Sequence, residues 1–350
     1  MILLSTSGRA QRAIDTTVPQ WQPGAKGDLA VETSAFIHDA SYPNPERILK
    51  IMSEDGAYSS VNQAWDKTHT GSWRISEQKY AFDAIVAGLD SHRQDVIEQG
   101  KKILDWGFRQ EKPDGSFDCG DKFHGTAFFV EAAAHSALLL EASDMSGQNR
   151  AWVESIKPKL HRAALWMMTP ANELPGRAHD APYTHRYYLN AVALGAAGVL
   201  LHDRTMVEHS KIYIRLAIAR QAATGANPEG GGWDTSYHAV GLKYAVYYYT
   251  LVADERTRQE MQPMIDRALL WLMSRMRENG TVDQTGNTSS GPGQEVGPNG
   301  TANRMSYVSA WCAAWYWAAI SGEPAWSRMA VSLVNGNRIE SKARNAATAP

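Results

Sequence analysis

One pattern recurs along this chain and limits what it can become. An amphipathic helix is followed by a loop rich in Gly, Asp and Pro, then by a second helix that is apolar or small nearly all round. Four segments carry it: "GKKILDWGFRQEKPDGSFDCGDKFHGTAFFVEAAAHSALLL", "LHRAALWMMTPANELPGRAHDAPYTHRYYLNAVALGAAGVLL", "IRLAIARQAATGANPEGGGWDTSYHAVGLKYAVYYYTLV", and "DRALLWLMSRMRENGTVDQTGNTSS" continuing through "GTANRMSYVSAWCAAWYWAAI". Self-similarity at intervals of about 50 to 60 residues marks a repeat architecture, in which each unit buries its apolar face against its neighbours.

In the first helix of the first unit, Ile103, Leu104, Gly107 and Phe108 fall on one face, and Lys101, Lys102 and Arg109 are left for water. The second helices lack a charged face, as in Ala132, Ala133, Ala134, Leu138, Leu139 and Leu140, or in Ala191 to Leu201. A helix apolar on most sides is surrounded by other helices. Gly195, Ala196, Ala197 and Gly198 allow neighbouring backbones to come close.

A weaker copy comes first, from "NPERILKIM" to "SEQKYAFDAIVAGLD", and Glu323 to about Val334 supplies a last outer segment. Strand signals are slight. The pattern predicts an all-α, single-domain (α/α) toroid, an incomplete barrel of about five to seven hairpins with buried helices inside and amphipathic ones outside. It would occupy residues 41–335, between an N-terminal extension (1–40) and a disordered C-terminal tail (336–350, ending "SKARNAATAP"). The segment "QEKPDGSF" is similar to the Gln/aromatic repeat of triterpene cyclases. Its Gln110-to-Gly115 spacing is one residue too long and no DxDD run exists, so it reads as a loop clip.

A net charge of −2 provides no general attraction to nucleic acid or anionic lipid, so any acidic ligand must be met by local positive charge. Cys119 and Cys312 form neither a disulfide framework nor a metal cluster. No apolar run is long enough for a membrane span, and the opening "MILLSTSGRAQRA" is too short for a signal core. The expectation is a monomer without metal or cofactor, in a compartment the sequence leaves open.

Each loop leading into a buried helix carries polar and aromatic residues. His124 lies beside Asp118, Asp121 and Lys122. His179, Asp180, Tyr183, His185, Arg186, Tyr187 and Asn190 come next, then Trp233, Asp234, Tyr237 and His238, and finally Asn299, Asn303, Arg304 and Tyr307. If these loops share one rim, the first helical turns build a common cleft whose free N–H groups favour anions. Spacing of three or four residues places Arg186 with Asn190, and Arg304 with Tyr307, on one helix face. Asp118, Asp180 and Asp234 are explained equally well as N-caps, and Tyr244, Tyr247 and Tyr248 as packing between helices. The 17-residue stretch from Gln284 to Gly300 is a lid candidate.

The candidate set His124, His185, Asn190, His238, Arg304 and Tyr307 is rich in neutral and cationic donors and poor in the paired carboxylates of glycoside hydrolysis. It suits β-elimination on a uronate. There the carboxylate is neutralised so that C5–H becomes acidic enough to remove, a base takes that proton, and an acid protonates the leaving O4.

The hairpins together with "FHGTAFFVEAA", "THRYYLNAVALG", "GGGWDTSYHAVGLKYAV" and "NRMSYVSAWCAAWYW" resemble α/α-toroid polysaccharide lyases, particularly the glucuronan and alginate lyases of polysaccharide lyase family 38. The resemblance spans about Tyr80 to Ile320. It implies a metal-independent endo-lyase acting on a β-1,4-linked polyuronate, from a secreted or periplasmic setting. It also implies Tyr307 as base and acid, Asn190, His238 and Arg304 as carboxylate holders, and His185 or Tyr188 in reserve. His124, Trp233, Tyr187, Tyr188, Arg186, Trp65 and Trp73 would bind substrate. The alternative is a toroid glycoside hydrolase using Asp118, Asp180 or Asp234.

Overall fold

Short linkers decide which helices pair. In the computed structural model, which describes residues 56–58, 75–143, 147–291 and 304–347, each buried helix turns tightly back into the amphipathic helix after it. A 3-10 turn (Ile75–Lys79) leads into α1 (Tyr80–Asp90), followed by α2 (Gln94–Arg109), α3 (Lys122–Ser143), α4 (Arg150–Met168) and the short α5 (Pro170–Asp180). Then come α6 (Thr184–Leu201), α7 (Arg204–Arg220), the two-residue strands β1 (Pro228–Glu229) and β2 (Gly232–Trp233), α8 (Thr235–Leu251), α9 (Glu255–Ser274), α10 (Tyr307–Ser321) and α11 (Pro324–Ala347). The described chain is mostly helical, with one small sheet.

The sequence repeat begins with an amphipathic helix, whereas the packed hairpin begins with a buried one. Between α6 and α7 only His202 and Asp203 intervene. His202 adopts a left-handed backbone (φ 56°), and the Asp203 carboxylate accepts from the N–H groups of Thr205 and Met206, capping the next helix. So α6 must fold antiparallel onto α7. By the same kind of short link α1 packs on α2 and α8 on α9, and α3 and α10 likewise pack on α4 and α11. The buried helices touch in chain order, α1 to α3, α3 to α6, α6 to α8 and α8 to α10, forming an arc. Their small residues make this possible: a Cβ added to Gly241 of α8 would lie 3.1 Å from the Cα of His185 on α6.

The longer links, from an outer helix to the next buried one, carry a recurring clip. Lys112 N–H donates to Ser116 O and Gly115 N–H to Lys112 O, and the same pair of bonds recurs at Ala222/Ala226 with Gly225 and at Arg277/Thr281 with Gly280. Each glycine has positive φ (88°, 92° and 84°) and abuts a carbonyl of the next outer helix, that of Arg162, Arg267 or Ser332. "QEKPDGSF" is therefore a structural clip, as its sequence suggests. Between α4 and α6 the clip is replaced by α5.

Two details depart from the sequence reading. Lys101 is buried instead of facing water, its ammonium 2.7 Å from Glu98 and 5.9 Å from the Trp152 ring. The C-terminal segment is no tail in its described part, because α11 continues through Ala347. No described helix is long and apolar enough to cross a membrane.

Candidate functional site

The N-terminal turns of the buried helices gather around one cleft of about 450 Å³. Its walls are Lys79 and Tyr80 at the start of α1, His124 and Phe128 of α3, Tyr183, His185 and Arg186 at the start of α6, Tyr237, Val240, Lys243 and Tyr244 of α8, and Ser306 and Ser309 around the start of α10. Among the described residues, three cationic side chains line it and no carboxylate does. On the described residues, no group of His, Cys, Asp and Glu is arranged to hold a metal.

The glycine-rich loop before α8 supplies the key support. Pro228–Glu229 pairs with Gly232–Trp233 around a Gly230–Gly231 turn, and Glu229 also bridges to Tyr183. Thr184 Oγ1 donates to Pro228 O, and Gly230 N–H donates to Pro182 O. This fixes the hairpin against the start of α6. Glu229 is thereby fully buried beneath His185, accepting from the His185 backbone N–H (2.9 Å) and lying 2.8 Å from its Nδ1. Burial pushes the Glu229 carboxyl above its usual pKa, and the imidazole beside it opposes that rise. With Nδ1 occupied, Nε2 of His185 has no partner among the described residues and remains accessible. Tyr237 stacks on the same ring (centroids 4.6 Å, 19° between planes).

His124 lies next to it, 6.2 Å between ring centroids, with a buried Nδ1 that has no hydrogen-bond partner among the described residues. Burial first, then the charges of Arg186, His185 and Lys79, hold its pKa well below the ordinary histidine value, so the ring stays neutral. The Arg186 Nη1 donates to Asp180 (2.9 Å) and Asp121 (3.3 Å), and its guanidinium lies 4.9 Å from the Tyr183 ring. Lys243 lies over Tyr244 (4.4 Å) and Lys79 over Phe128 (4.4 Å). Burial keeps the Tyr244 phenol well above its usual pKa and so protonated.

Of the residues singled out in the sequence, His124, His185 and Arg186 come together here. Tyr307 does not: its hydroxyl donates to Glu340 (2.6 Å) and accepts from Val282 N–H (3.0 Å), away from the cleft. His238 is wholly buried, Nδ1 accepting from Asn227 N–H and Nε2 donating to Ala268 O. Asn190 is also fully buried and donates to Asp180, so it supports Arg186 from behind. Arg304 is exposed, and among the described residues only its carbonyl is engaged, by Ser236. The helical spacing that joins Arg304 to Tyr307 is broken because α10 begins at Tyr307 itself.

The expected sugar-binding aromatics are also corrected. Trp233 packs on Trp271 and Arg275, Tyr187 on Tyr213 and Arg220, and the hydroxyl of Tyr188 donates to Met264 Sδ. None of them lines the cleft, and neither does any described tryptophan. Trp65, Trp73, Asn299 and Asn303 lie outside the described residues. The lid candidate is anchored over its described part: Asn287 donates to Thr235, and the amides of Ser289 and Ser290 donate to Asp234. Asp118 is exposed beside Lys112, Asp180 and Asp234 are buried in these networks, and none of the three lines the cleft.

Lys79, Lys243, Tyr244 and Glu229 are missing from the sequence-based set. Counting down α8 from Tyr237 by three and four residues passes Val240 and reaches Tyr244, and Lys243 is the one charged residue of that helix. Those signals were present. The chain matches no protein-family model, and no curated protein matches it in sequence.

Proposed function

We propose that this protein is a polysaccharide lyase that cleaves an acidic polysaccharide, a polyuronate, by β-elimination, on an (α/α) toroid whose lumen mouth is the cleft. The toroid reading is supported by the arc of buried helices and by the cleft, which residues of both the first and the last of them line. The resemblance to family 38 lyases points the same way. The observation that carries the chemistry is a cleft lined by two lysines and Arg186 and, among the described residues, by no carboxylate, containing an imidazole fixed by a buried glutamate.

Lys79 and Lys243 neutralise uronate carboxylates, Arg186, held by Asp121 and Asp180, offers a hydrogen bond beside them, and neutral His124 donates a hydrogen bond to the enolate-like intermediate. His185 Nε2 takes the C5 proton, the C5–H electrons form the C4=C5 double bond, and the C4–O4 bond breaks. Tyr244, kept protonated, gives its proton to O4. Glycoside hydrolysis needs an acid carboxyl and a second carboxylate across the sugar, and among the described residues none lines this cleft.

A screen of glucuronan, alginate blocks and other defined polyuronates tests the proposal. It expects rising ultraviolet absorbance from the unsaturated product. Reducing ends without that absorbance would mean hydrolysis, and binding without turnover a carbohydrate-binding protein.

A further inference from the structure

Behind the cleft, Nδ1 of His124, Nε of Arg186 and Oδ1 of Asn190 are buried and have no hydrogen-bond partner among the described residues. Buried polar atoms are costly to leave unpaired, so a cluster of them marks a place for a polar ligand. We infer that these three atoms hold one ordered water molecule, and that this water fixes the proton of His124 on Nε2, so that the ring presents a donor to the cleft and not a second base. The inference deepens the role proposed for His124 in β-elimination and rests on that reading for its catalytic consequence. The water site itself does not depend on it.

Two carboxylates knit the three side chains together. Asp180 accepts from Arg186 Nη1 and from Asn190 Nδ2, both at 2.9 Å, and the two donors stand four residues apart on one face of α6. Asp121 accepts from Arg186 Nη1 with one oxygen (3.3 Å) and from the backbone N–H of His124 with the other (3.2 Å). Asn190 is fully buried; because a carboxylate only accepts, its Nδ2 must face Asp180 and its Oδ1 must face away. After burial itself, the Arg186 charge does most to disfavour protonation of His124, which reflects how near the two lie.

The available hydrogens decide the tautomer. Arg186 Nε–H can only donate, and Asn190 Oδ1 can only accept. A water between them accepts from the first and donates one hydrogen to the second. Its remaining hydrogen needs an acceptor, which Nδ1 of neutral His124 supplies, completing the three hydrogen bonds usual for a buried water. With the ring proton on Nδ1 instead, one hydrogen of the water would be stranded. The bond made by one ring nitrogen sets the state of the other, so Nε2–H is the group that His124 offers to the cleft it lines. Two neighbouring histidines thereby take separate tasks: His185 removes the proton and His124 steadies the charge that forms.

The test reads the tautomer of His124 at neutral pH from proton–nitrogen correlation spectra of the full chain carrying isotope-labelled histidine, with His124→Gln identifying its signals. An atomic-resolution crystal structure of the parent accompanies it. Expected are a single neutral form protonated on Nε2 and a water density peak within hydrogen-bond reach of all three atoms. Asn190→Leu removes the acceptor at similar volume, so His124 should lose its single tautomer, and turnover should fall about tenfold or more with affinity within a few-fold. The measurements on the parent keep the test decisive if Asn190→Leu, by depriving buried Asp180 of a donor, fails to fold.

His124 protonated on Nδ1 or on both nitrogens, no water peak at the three atoms, or a folded Asn190→Leu that keeps the pure Nε2–H form would overturn the inference. The expected tautomer and water in a protein that yields no unsaturated product would keep the site and reject the lyase. Unsaturated product from a protein whose His124 carries its proton on Nδ1 would do the reverse.

Discussion

His185 Nδ1 lies 2.8 Å from Oε2 of Glu229, and the other carboxylate oxygen receives the backbone N–H of the same histidine. A buried acid that grips both ring and backbone fixes the tautomer and the direction in which Nε2 points. Glu229→Gln preserves the shape but can offer Nδ1 an N–H where it needs an acceptor. Turnover should fall by about 100- to 10,000-fold with substrate affinity nearly unchanged, because an amide beside a reacting imidazole favours the wrong tautomer. Steady-state kcat and KM against calorimetric affinity would separate the two, and an unchanged kcat would remove Glu229 from the mechanism.

His238 gives a pH signature unrelated to activity. Burial depresses its pKa to about 4. Since the unfolded chain takes up the proton at the ordinary histidine value of 6.5, stability is full above that pH. It declines as pH falls towards 4, where the folded form protonates as well. Linkage between the two values amounts to about 2 kcal/mol lost by pH 5. His238→Gln can still accept from Asn227 and donate to Ala268, so denaturation midpoints at pH 7.5 and 5 should differ less for it than for the parent. An identical pH slope in both proteins would refute this.

Tyr307 tests the corrected site. Its hydroxyl joins Glu340 and the Val282 amide, so Tyr307→Phe strands a buried N–H and should cost about 1 to 3 kcal/mol. Activity of the folded variant should be retained. Loss of turnover without loss of stability would restore the role that the family resemblance implies for it.

The clips predict a contrast between two glycines. At Gly280 φ is +84° and an added Cβ would overlap Ser332 O, whereas at Gly147 φ is +78° and no described residue lies within 4 Å of an added Cβ. Gly147→Ala should cost only about 1 kcal/mol of backbone strain, and Gly280→Ala at least about 3 kcal/mol because α11 must also move. Equal thermal shifts would mean that the loop does not clamp the next helix.

The helical repeat was legible because burial imposes a period on sequence. The all-round apolarity of Ala191 to Leu200 and the one-sided pattern of Ile103, Leu104 and Phe108 are where the structure buries them. The rim was legible too, since His124, His185 and Arg186 do meet. Which polar residues face the cleft was not. His238 and His185 both occupy first turns, and only the hairpin geometry decides that one ring is sealed against Ala268 while the other opens onto the cleft. Tyr244, Tyr247 and Tyr248 all read as packing between helices, yet one turn of helix separates a phenol that lines the cleft from one bound to Ser210.

The most direct measurement compares formation of unsaturated product by the parent protein and by His185→Gln on the polyuronate that binds best, with affinity followed in parallel. The account predicts ultraviolet-absorbing product from the parent, a loss of about 100-fold or more in rate for the variant, and affinity within a few-fold. Product formation by His185→Gln at the parental rate, or no unsaturated product from the parent on any polyuronate it binds, would contradict it.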